Sequence, residues 1–411
     1  MSSISDRLKA LGVQVGAQNI LPHRTRDTHS IEQVLPGKVV GNLYGETYIV
    51  ENTYPSDYRH GAIELIISTP PEIIAAWVGE PSLVNSHVED FVFLDIETTS
   101  LSGSAGIYAF LVGAGRFNGN VFRLSQFFLR HPGEELAHLA AMIEFVGDCR
   151  TLVTFNGRSF DVPILTTRCL LQGMGTPFKR MPNIDLLHLA RRLWRERLPS
   201  RTLLNLEAQI LGITRTEEDV PSWVIPQLYL DYLHTDDARL IKNIFYHNAK
   251  DILSMVTLYN HITNLLAVDL ANEELPEIVI SDLIGIGRLY ESIGRLEDAA
   301  RIYQQSLNSH LPESVYPQIL KKLSSLYKRL GDWSNAVDLW KQAAKAGQIY
   351  ARIELAKYYE HREHDYTSAL ELTQTALEHL LNRDRPYQID LDQCNSIEHR
   401  LRRLKRKLGQ D

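Results

Sequence analysis

The rhythm of hydrophobic and polar positions changes several times along the chain. Residues 1–35 are polar apart from an amphipathic stretch around Ile4 to Val13. Over 36–53, apolar and polar residues alternate around Gly41 and Gly45, which predicts a small β-hairpin accessory to the main domain. Thr69-Pro70-Pro71 and residues 79–89 read as linkers. Three apolar runs come next: FVFLDIE (91–97), IYAFLVGAGRF (107–117) and VFRLSQFFL (121–129), the last two separated by Asn118-Gly119-Asn120. Short runs with tight turns predict a three-stranded meander. Residues 134–147 then read as a helix and TLVTFNG (151–157) as a buried strand. Residues 161–172 read as a helix with Pro163 tolerated in its first turn. Further helices are expected at roughly 186–196, 202–211 and 236–266. Antiparallel strands succeeded by alternating helices and strands predict an α/β domain over 88–268, preceded by an N-terminal extension over 1–87.

From 281 to 411 strand signals cease and a helix-pair pattern recurs. Tyr290, Gly294, Ala299 and Tyr303 reappear 37 positions later as Tyr327, Gly331, Ala336 and Trp340. A third copy has Tyr359 and Ala369, with one extra residue in its turn. Small residues where helices cross, with aromatics beside them, are what stacked helix hairpins need for close approach. The pattern resembles the tetratricopeptide repeat, whose period is ~34 residues and which stacks in threes or more. It implies an all-α domain that recruits a protein partner. The closing segment 399–409 has Leu401, Leu404 and Leu408 at helical spacing and six Lys or Arg between 400 and 407. It reads either as a cap on the stack or as a nucleic-acid contact. His361 and His364 fall in a turn and are assigned no metal.

Composition narrows the classes. With 411 residues, 44% hydrophobic and 23% charged, the chain has room for two or three cored domains, and disorder, collagen and coiled-coil fibres are excluded. No apolar run reaches the ~18 residues that span a membrane, and the N-terminus has no apolar leader, so a cytoplasmic location is expected. Cys149, Cys169 and Cys394 are sparse and far apart, which argues against a disulfide framework or thiolate site. The net charge of −7 excludes a wholesale basic nucleic-acid binder. Residues 1–270 carry 23 Lys and Arg against 29 Asp and Glu; residues 271–411 carry 20 against 21. An acidic half can still bind phosphates if metal neutralises some of its carboxylates.

Three elements carry candidate chemistry. Asp95 and Glu97 lie two apart at the end of a strand, so both project from one face. The small polar turn Thr98, Thr99, Ser100, Ser102, Gly103 and Ser104 comes next, leaving room for a substrate. Asn156-Gly157-Arg158-Ser159-Phe160-Asp161 closes the strand TLVTF, and Asp161 there is either a ligand or a helix N-cap. His247 and Asp251 are four apart on a long helix and share a face.

D-x-E, then N-x-x-x-F-D, then H-x-x-x-D resembles the DEDD superfamily of 3′–5′ exonucleases, with their ribonuclease H-like fold. The segments FLDIETTSLSGSAGIYAFLVG, VTFNGRSFDVPIL and EDVPSWVIPQLYLDYL are similar to the YprB-type ribonuclease H-like proteins, a likeness covering roughly residues 30–265. The resemblance implies a mixed sheet flanked by helices and a metal-dependent nuclease acting on single-stranded DNA or RNA. Two Mg²⁺ or Mn²⁺ ions would be held by Asp95, Glu97, Asp161 and Asp251, an all-oxygen set suited to hard cations. The chain departs from the superfamily at the catalytic helper, which there is a tyrosine four residues before the last aspartate or a histidine five before it. Here His247 stands at −4 and Tyr246 at −5; only −4 shares the face of Asp251, so His247 is the expected base.

Asn156 and Thr98 are expected at the substrate, and Asn156 could equally serve only the turn. Asp185 could line the cleft or cap a helix. Arg191, Arg192, Arg195, Arg197 and Arg201 form a basic cluster, with phosphate contact expected above all from Arg191 and Arg195; the alternative is a solvated face paired to Glu196. Tyr108 and Phe110 could stack a base or belong to the core. Two other functions remain open: a catalytically inactive scaffold acting through its repeats, and an endonuclease of hybrid duplexes.

Overall fold

The computed structural model describes residues 28–66, 72–100, 106–267, 277–308, 315–381 and 391–410. The amphipathic stretch at Ile4 to Val13, Thr69-Pro70-Pro71 and the turn residues Ser102 to Ser104 lie outside them.

One mixed sheet organises the first two-thirds. Its strands are β1 (Lys38–Asn42), β2 (Gly45–Pro55), β3 (Phe91–Thr98), β4 (Ala109–Asn118), β5 (Val121–Phe128), β6 (Thr151–Thr154) and β7 (Asn183–Asp185), in the order β1-β2-β5-β4-β3-β6-β7. The meander β3-β4-β5 is antiparallel, whereas β3, β6 and β7 run parallel, so their carboxyl ends meet at one edge. The hairpin expected as an accessory is built into the sheet, because β2 pairs with β5 from Tyr48↔Phe128 to Pro55↔Val121. The three-residue strand β7 stands where the sequence suggests only the approach to a helix.

Strand alternation divides the core into two faces. Phe91 and Phe93 point to one face, where they pack with Phe122, Leu124 and the long helix. Val92, Leu94 and Ile96 point to the other, against Leu139, Met142, Leu165 and Cys169. The helices are α1 (Glu72–Val78), α2 (Glu135–Val146), α3 (Asp161–Leu171), α4 (Leu186–Leu193), α5 (Ile225–Thr235) and α6 (Lys242–Ala267). Helix α5 is additional to the expected elements; Pro221 stands in its approach, and Pro226 sits in its first turn. The helix expected over 202–211 is one α-turn, Leu203–Leu206, running into a π-turn, Glu207–Leu211, that ends at Gly212 with φ 65°. Short 3₁₀ turns, Pro81–Asn85 and Val88–Asp90, occupy the supposed linker around 79–89, with helix α1 immediately before it. Phe110 is core, stacked on Tyr229 at 4.0 Å, and Tyr108 packs under the Arg168 guanidinium. The three cysteines are free and buried.

The remainder is helical: α7 (Glu277–Ser292), α8 (Leu296–Asn308), α9 (Tyr316–Leu330), α10 (Trp333–Lys345), α11 (Ile349–Tyr358), α12 (Tyr366–Leu381) and α13 (Leu391–Lys407). The first two hairpins turn at Gly294 and Gly331, both left-handed, with φ 80° and 78°. The third absorbs its extra residue as a π-turn over Tyr359–Glu363 and turns at His364, φ 56°. Helix α13 closes the stack. Leu404 is buried beside Ala369 and Leu370, while Arg400, Arg403 and Lys407 converge on the buried carboxylate of Glu360. Much of that basic face is therefore committed internally.

The repeats dock through α7 onto α4. A Cβ added to Gly285 would stand 1.9 Å from the Leu193 carbonyl oxygen, so the two helices touch backbone to backbone. Arg197 is fixed to Asp282 by two bonds of 2.7 and 2.9 Å. Gly285→Ala should force the helices apart and destabilise the protein by at least about 2 kcal/mol in denaturant titration. A change within about 0.5 kcal/mol, the range of neutral surface substitutions, would refute the close contact.

Acid stability supplies a second check. Burial pulls the His138 imidazole down to about 4 from its ordinary 6.5. Below pH 6.5 the unfolded chain takes up a proton that the folded chain refuses until about pH 4, so stability falls as pH falls through that window. At pH 5 the loss from this residue should be about 2 kcal/mol relative to pH 7. His138→Leu should flatten the dependence by that amount in thermal unfolding, and parallel profiles for the two proteins would refute it.

Candidate active site

The carboxyl ends of β3, β6 and β7 converge where α6 crosses the sheet, the edge at which open α/β sheets take their ligands. Alternation sets Asp95 and Glu97 on the same face as Phe91 and Phe93, toward α6. The chain leaves β6 through Asn156, whose φ of 66° bends it back. Asp185, at the end of β7, locks that bend: one oxygen accepts from the Asn156 and Leu187 amides at 2.8 and 3.1 Å, and the other from the Arg158 amide at 3.2 Å. Asp185 thus both caps α4 and shapes the cleft. Asp161 opens α3 close against the loop, since a Cβ on Gly157 would lie 2.8 Å from its Oδ2.

The four carboxylates are near enough to disturb one another. Burial raises the pKa of Asp95 well above the carboxylate range, and the charges of Asp251, Glu97 and Asp161 raise it further. Glu97 is raised by burial and then by Asp251 and Asp161. Burial, Asp185 and Asp251 push Asp161 up to about 8. Asp251 is raised by burial, against the pull of His247 and Arg215. Such a set calls for positive charge, and all of its donors are oxygen, as Mg²⁺ and Mn²⁺ prefer. Among the described residues, no group of three or more His, Cys, Asp or Glu is arranged to hold a metal ion as it stands. The cation seated there is Arg215.

Arg215 comes from the loop after the π-turn. It binds Glu207 through two bonds of 2.7 and 2.6 Å, Asp219 at 3.2 Å, and Asp251. Burial opposes its charge, but Glu207 and Asp251 hold its pKa above the ordinary arginine value. His247 Nδ1 lies 2.7 Å from Asp219 Oδ1 and 3.2 Å from Arg215 Nη1; the shorter contact, to a carboxylate that can only accept, places the proton on Nδ1. Nε2 then faces the cleft, 3.5 Å from Asp251 and 3.9 Å from Glu97. Tyr246 points elsewhere: its hydroxyl accepts from Thr216 at 3.1 Å.

Asn248 holds Asp95 in place, donating to its Oδ2 at 2.9 Å and its carbonyl at 3.3 Å. Gln126 in turn donates to the Asn248 carbonyl oxygen at 3.0 Å and to the Phe245 carbonyl at 2.8 Å. This network requires a glycine at 113, where a Cβ would meet Asn248 at 2.2 Å. Thr98 donates to the Ser100 carbonyl at 2.7 Å and lines a hollow with Glu97, Asn156 and Asp161. Asn156 also borders the adjoining hollow with Asp95, Asp251 and Arg191. Arg195 lies farther out, beside Arg191, whereas Arg197 is turned away to Asp282.

Two family patterns match the chain. The RNase H superfamily pattern covers residues 92–263. Residues 92–263 are an RNase H superfamily domain. The tetratricopeptide repeat pattern covers 283–313, which takes in most of the α7–α8 hairpin. The chain is homologous to the uncharacterized protein YprB of Bacillus subtilis (strain 168), 29% identical over 340 residues, 80% of each protein. The family B DNA polymerase of Pyrobaculum calidifontis overlaps 64% of the chain at 14% identity and a TM-score of 0.36. The chain spans about a third of that polymerase's length, 34%. Among the described residues, no helix is long and apolar enough to cross a membrane.

The RNase H-like domain contains site residues that sequence reasoning missed. Arg215 and Asp219 lie in a loop with no hydrophobic period, and Glu207 sits in a π-turn that blurs helical spacing. Asn248 is within reach as the immediate neighbour of His247. Gln126 is the one amide in an otherwise apolar strand end. Arg215→Met should destabilise the metal-free protein by about 3–5 kcal/mol, because Glu207 is left buried without a partner. Adding Glu207→Gln should recover a good part of that loss. Strict additivity of the two changes in denaturant titration would show that the pair is not coupled.

Proposed function

We propose that the RNase H-like domain is a metal-dependent nuclease that removes nucleotides from the 3′ end of single-stranded DNA or RNA. The convergence of four mutually repelling carboxylates at the carboxyl ends of β3 and β6 and on α6 carries this reading. Asp95, Glu97, Asp161 and Asp251 would hold two Mg²⁺ or Mn²⁺ ions. Bound there, such ions polarise the scissile phosphodiester and lower the pKa of the attacking water.

The protein's own groups supply the rest. Asn248 and Gln126 set the Asp95 carboxylate, and Asp185 fixes the bend that carries Asn156 and Asp161 into the cleft. Asp219 keeps His247 in the tautomer whose Nε2 faces the carboxylates, with only the long Ser222 hydroxyl contact of 3.5 Å to displace before it takes a proton from water. Asn156 and Thr98 border the hollow for the terminal nucleotide, and Arg191 and Arg195 receive backbone phosphates. The repeats recruit a protein partner.

One observation favours a second reading. Arg215 already neutralises Asp251 and Asp219, so the domain has an internally balanced state that suits a scaffold without catalysis. The two readings separate in one experiment. With Mn²⁺ or Mg²⁺, 5′-labelled single strands should shorten from the 3′ end. EDTA, Asp95→Asn or Asp251→Asn should abolish this, and His247→Gln should slow it about 10²–10⁴-fold. Wild-type protein that cleaves neither polymer and shows no Mn²⁺ binding by calorimetry would sink the nuclease and leave the scaffold.

A further inference from the structure

The strongest feature outside the carboxylate centre is a hollow of about 800 Å³ where the RNase H-like domain meets the first repeat. Six arginines line it: Arg158, Arg191, Arg192, Arg195, Arg201 and Arg288. They come from separate parts of the chain, namely the loop after β6, helix α4 and its exit, the turn before Leu203, and the repeat helix α7. The one acidic lining residue is Asp185, whose two oxygens are taken up by three backbone amides.

These arginines differ from the structural ones nearby. Arg197 is fixed to Asp282, whereas the guanidinium groups of Arg158, Arg191 and Arg192 make no hydrogen bond or ion pair with the described residues. Arg195 and Arg288 share Glu196, at 4.0 and 2.6 Å, as the alternative of pairing to Glu196 expects, yet Arg195 stays largely exposed and Arg288 keeps Nη1 buried without a partner. Arg201 binds two carbonyls through Nη1 and leaves Nε unpartnered. In a chain of net charge −7, six guanidiniums around one hollow form a local concentration of positive charge with unused donors. Guanidinium forks are suited to phosphate oxygens.

The shape selects the ligand. Arg191 and Arg201 also line the neighbouring hollow of about 530 Å³, together with Asp95 and Asp251. Arg191 and Arg201 therefore link the hollow at the carboxylate centre to the one at the repeat junction. A free phosphate would engage one or two of these arginines; a polynucleotide backbone would engage them in series. Trp77 on α1, half-buried and packed against the core, also lines the hollow.

We infer that a nucleic-acid strand whose end lies in the carboxylate cleft continues into this arginine hollow, so that the first repeat helix, through Arg288, is part of the substrate site and binding depends on strand length. The inference rests on the nuclease reading for what occupies the cleft, but it is tested by binding alone. Fluorescence anisotropy with the full chain in EDTA would compare labelled single strands of ~4 and ~16 nucleotides. Wild type should favour the longer strand. The exposed pair Arg192→Ala/Arg195→Ala should weaken that binding about tenfold or more, and Arg288→Ala should weaken it as well. The salt slope should fall by about one for each arginine–phosphate pair removed. Arg150→Ala, 82% exposed and not part of the hollow's lining, should bind like wild type.

Equal wild-type affinity for both lengths, or a double variant that binds the long strand normally, would overturn the inference. So would arginine-dependent binding of tripolyphosphate with none of the oligonucleotide. Cleavage that persists with binding unchanged in the variants would overturn this inference and leave the nuclease standing. Length- and arginine-dependent binding by a protein that cleaves nothing would do the reverse.

Discussion

Asp161 is buried and Asp95, Glu97 and Asp251 are half-buried beside it, and much of the surrounding architecture can be understood as the means of holding these four acids there. Like charges in a low-dielectric cleft repel, and removal from water raises the free energy of each charged form. The fold meets this with fixed donors and cations. Asn248 donates to Asp95, Arg215 and His247 face Asp251, and three amides take up the neighbouring Asp185. Asp95, Asp161 and Asp185 share one cleft because the carboxyl ends of β3, β6 and β7 coincide. That coincidence arises from the parallel pairing of β3 with β6 and of β6 with β7.

Most of the architecture is legible because periodicity reports burial directly. The meander, the buried strand at 151, the long helix and the repeats all carry strong apolar rhythms, and each stands within a few residues of its expected place. The repeat pattern even locates the single extra residue that becomes the π-turn at Tyr359–Glu363. The mismatches are local and short: strand β7, helix α5 with its prolines, and the α-to-π segment at 203–211. Three residues of strand are too few to show alternation, and a π-turn breaks the 3.6-residue spacing by which helices are recognised.

The candidate site divides in the same way. Asp95, Glu97, Asp161, His247 and Asp251 stand out because each lies at a strand end or on one helix face, where spacing in sequence maps onto direction in space. Arg215, Asp219 and Glu207 approach from a loop and an irregular turn, where spacing maps onto nothing. Gln126 acts across the sheet on Asn248, a pairing between residues more than a hundred positions apart. The arginines show both cases. Sequence clustering picks out five, of which Arg197 is structural, while Arg158 and Arg288 join the hollow only through the fold.

Charge segregation ties the two domains together. The RNase H-like domain places its acids at the strand ends and its unpaired arginines immediately beyond, where α4 meets α7. The contact that brings Arg288 to the arginine hollow is the same one that demands a glycine at 285, since any side chain there would meet the Leu193 backbone. Docking of the repeats is therefore a condition for completing the basic surface, in addition to whatever the repeats hold on their other faces. At the opposite end of the stack, α13 directs three cations to Glu360, so its basic residues serve packing while those of α4 remain open. Net charge conceals this arrangement. A chain that is acidic overall can still gather arginines in one hollow when its acids are gathered in another beside it.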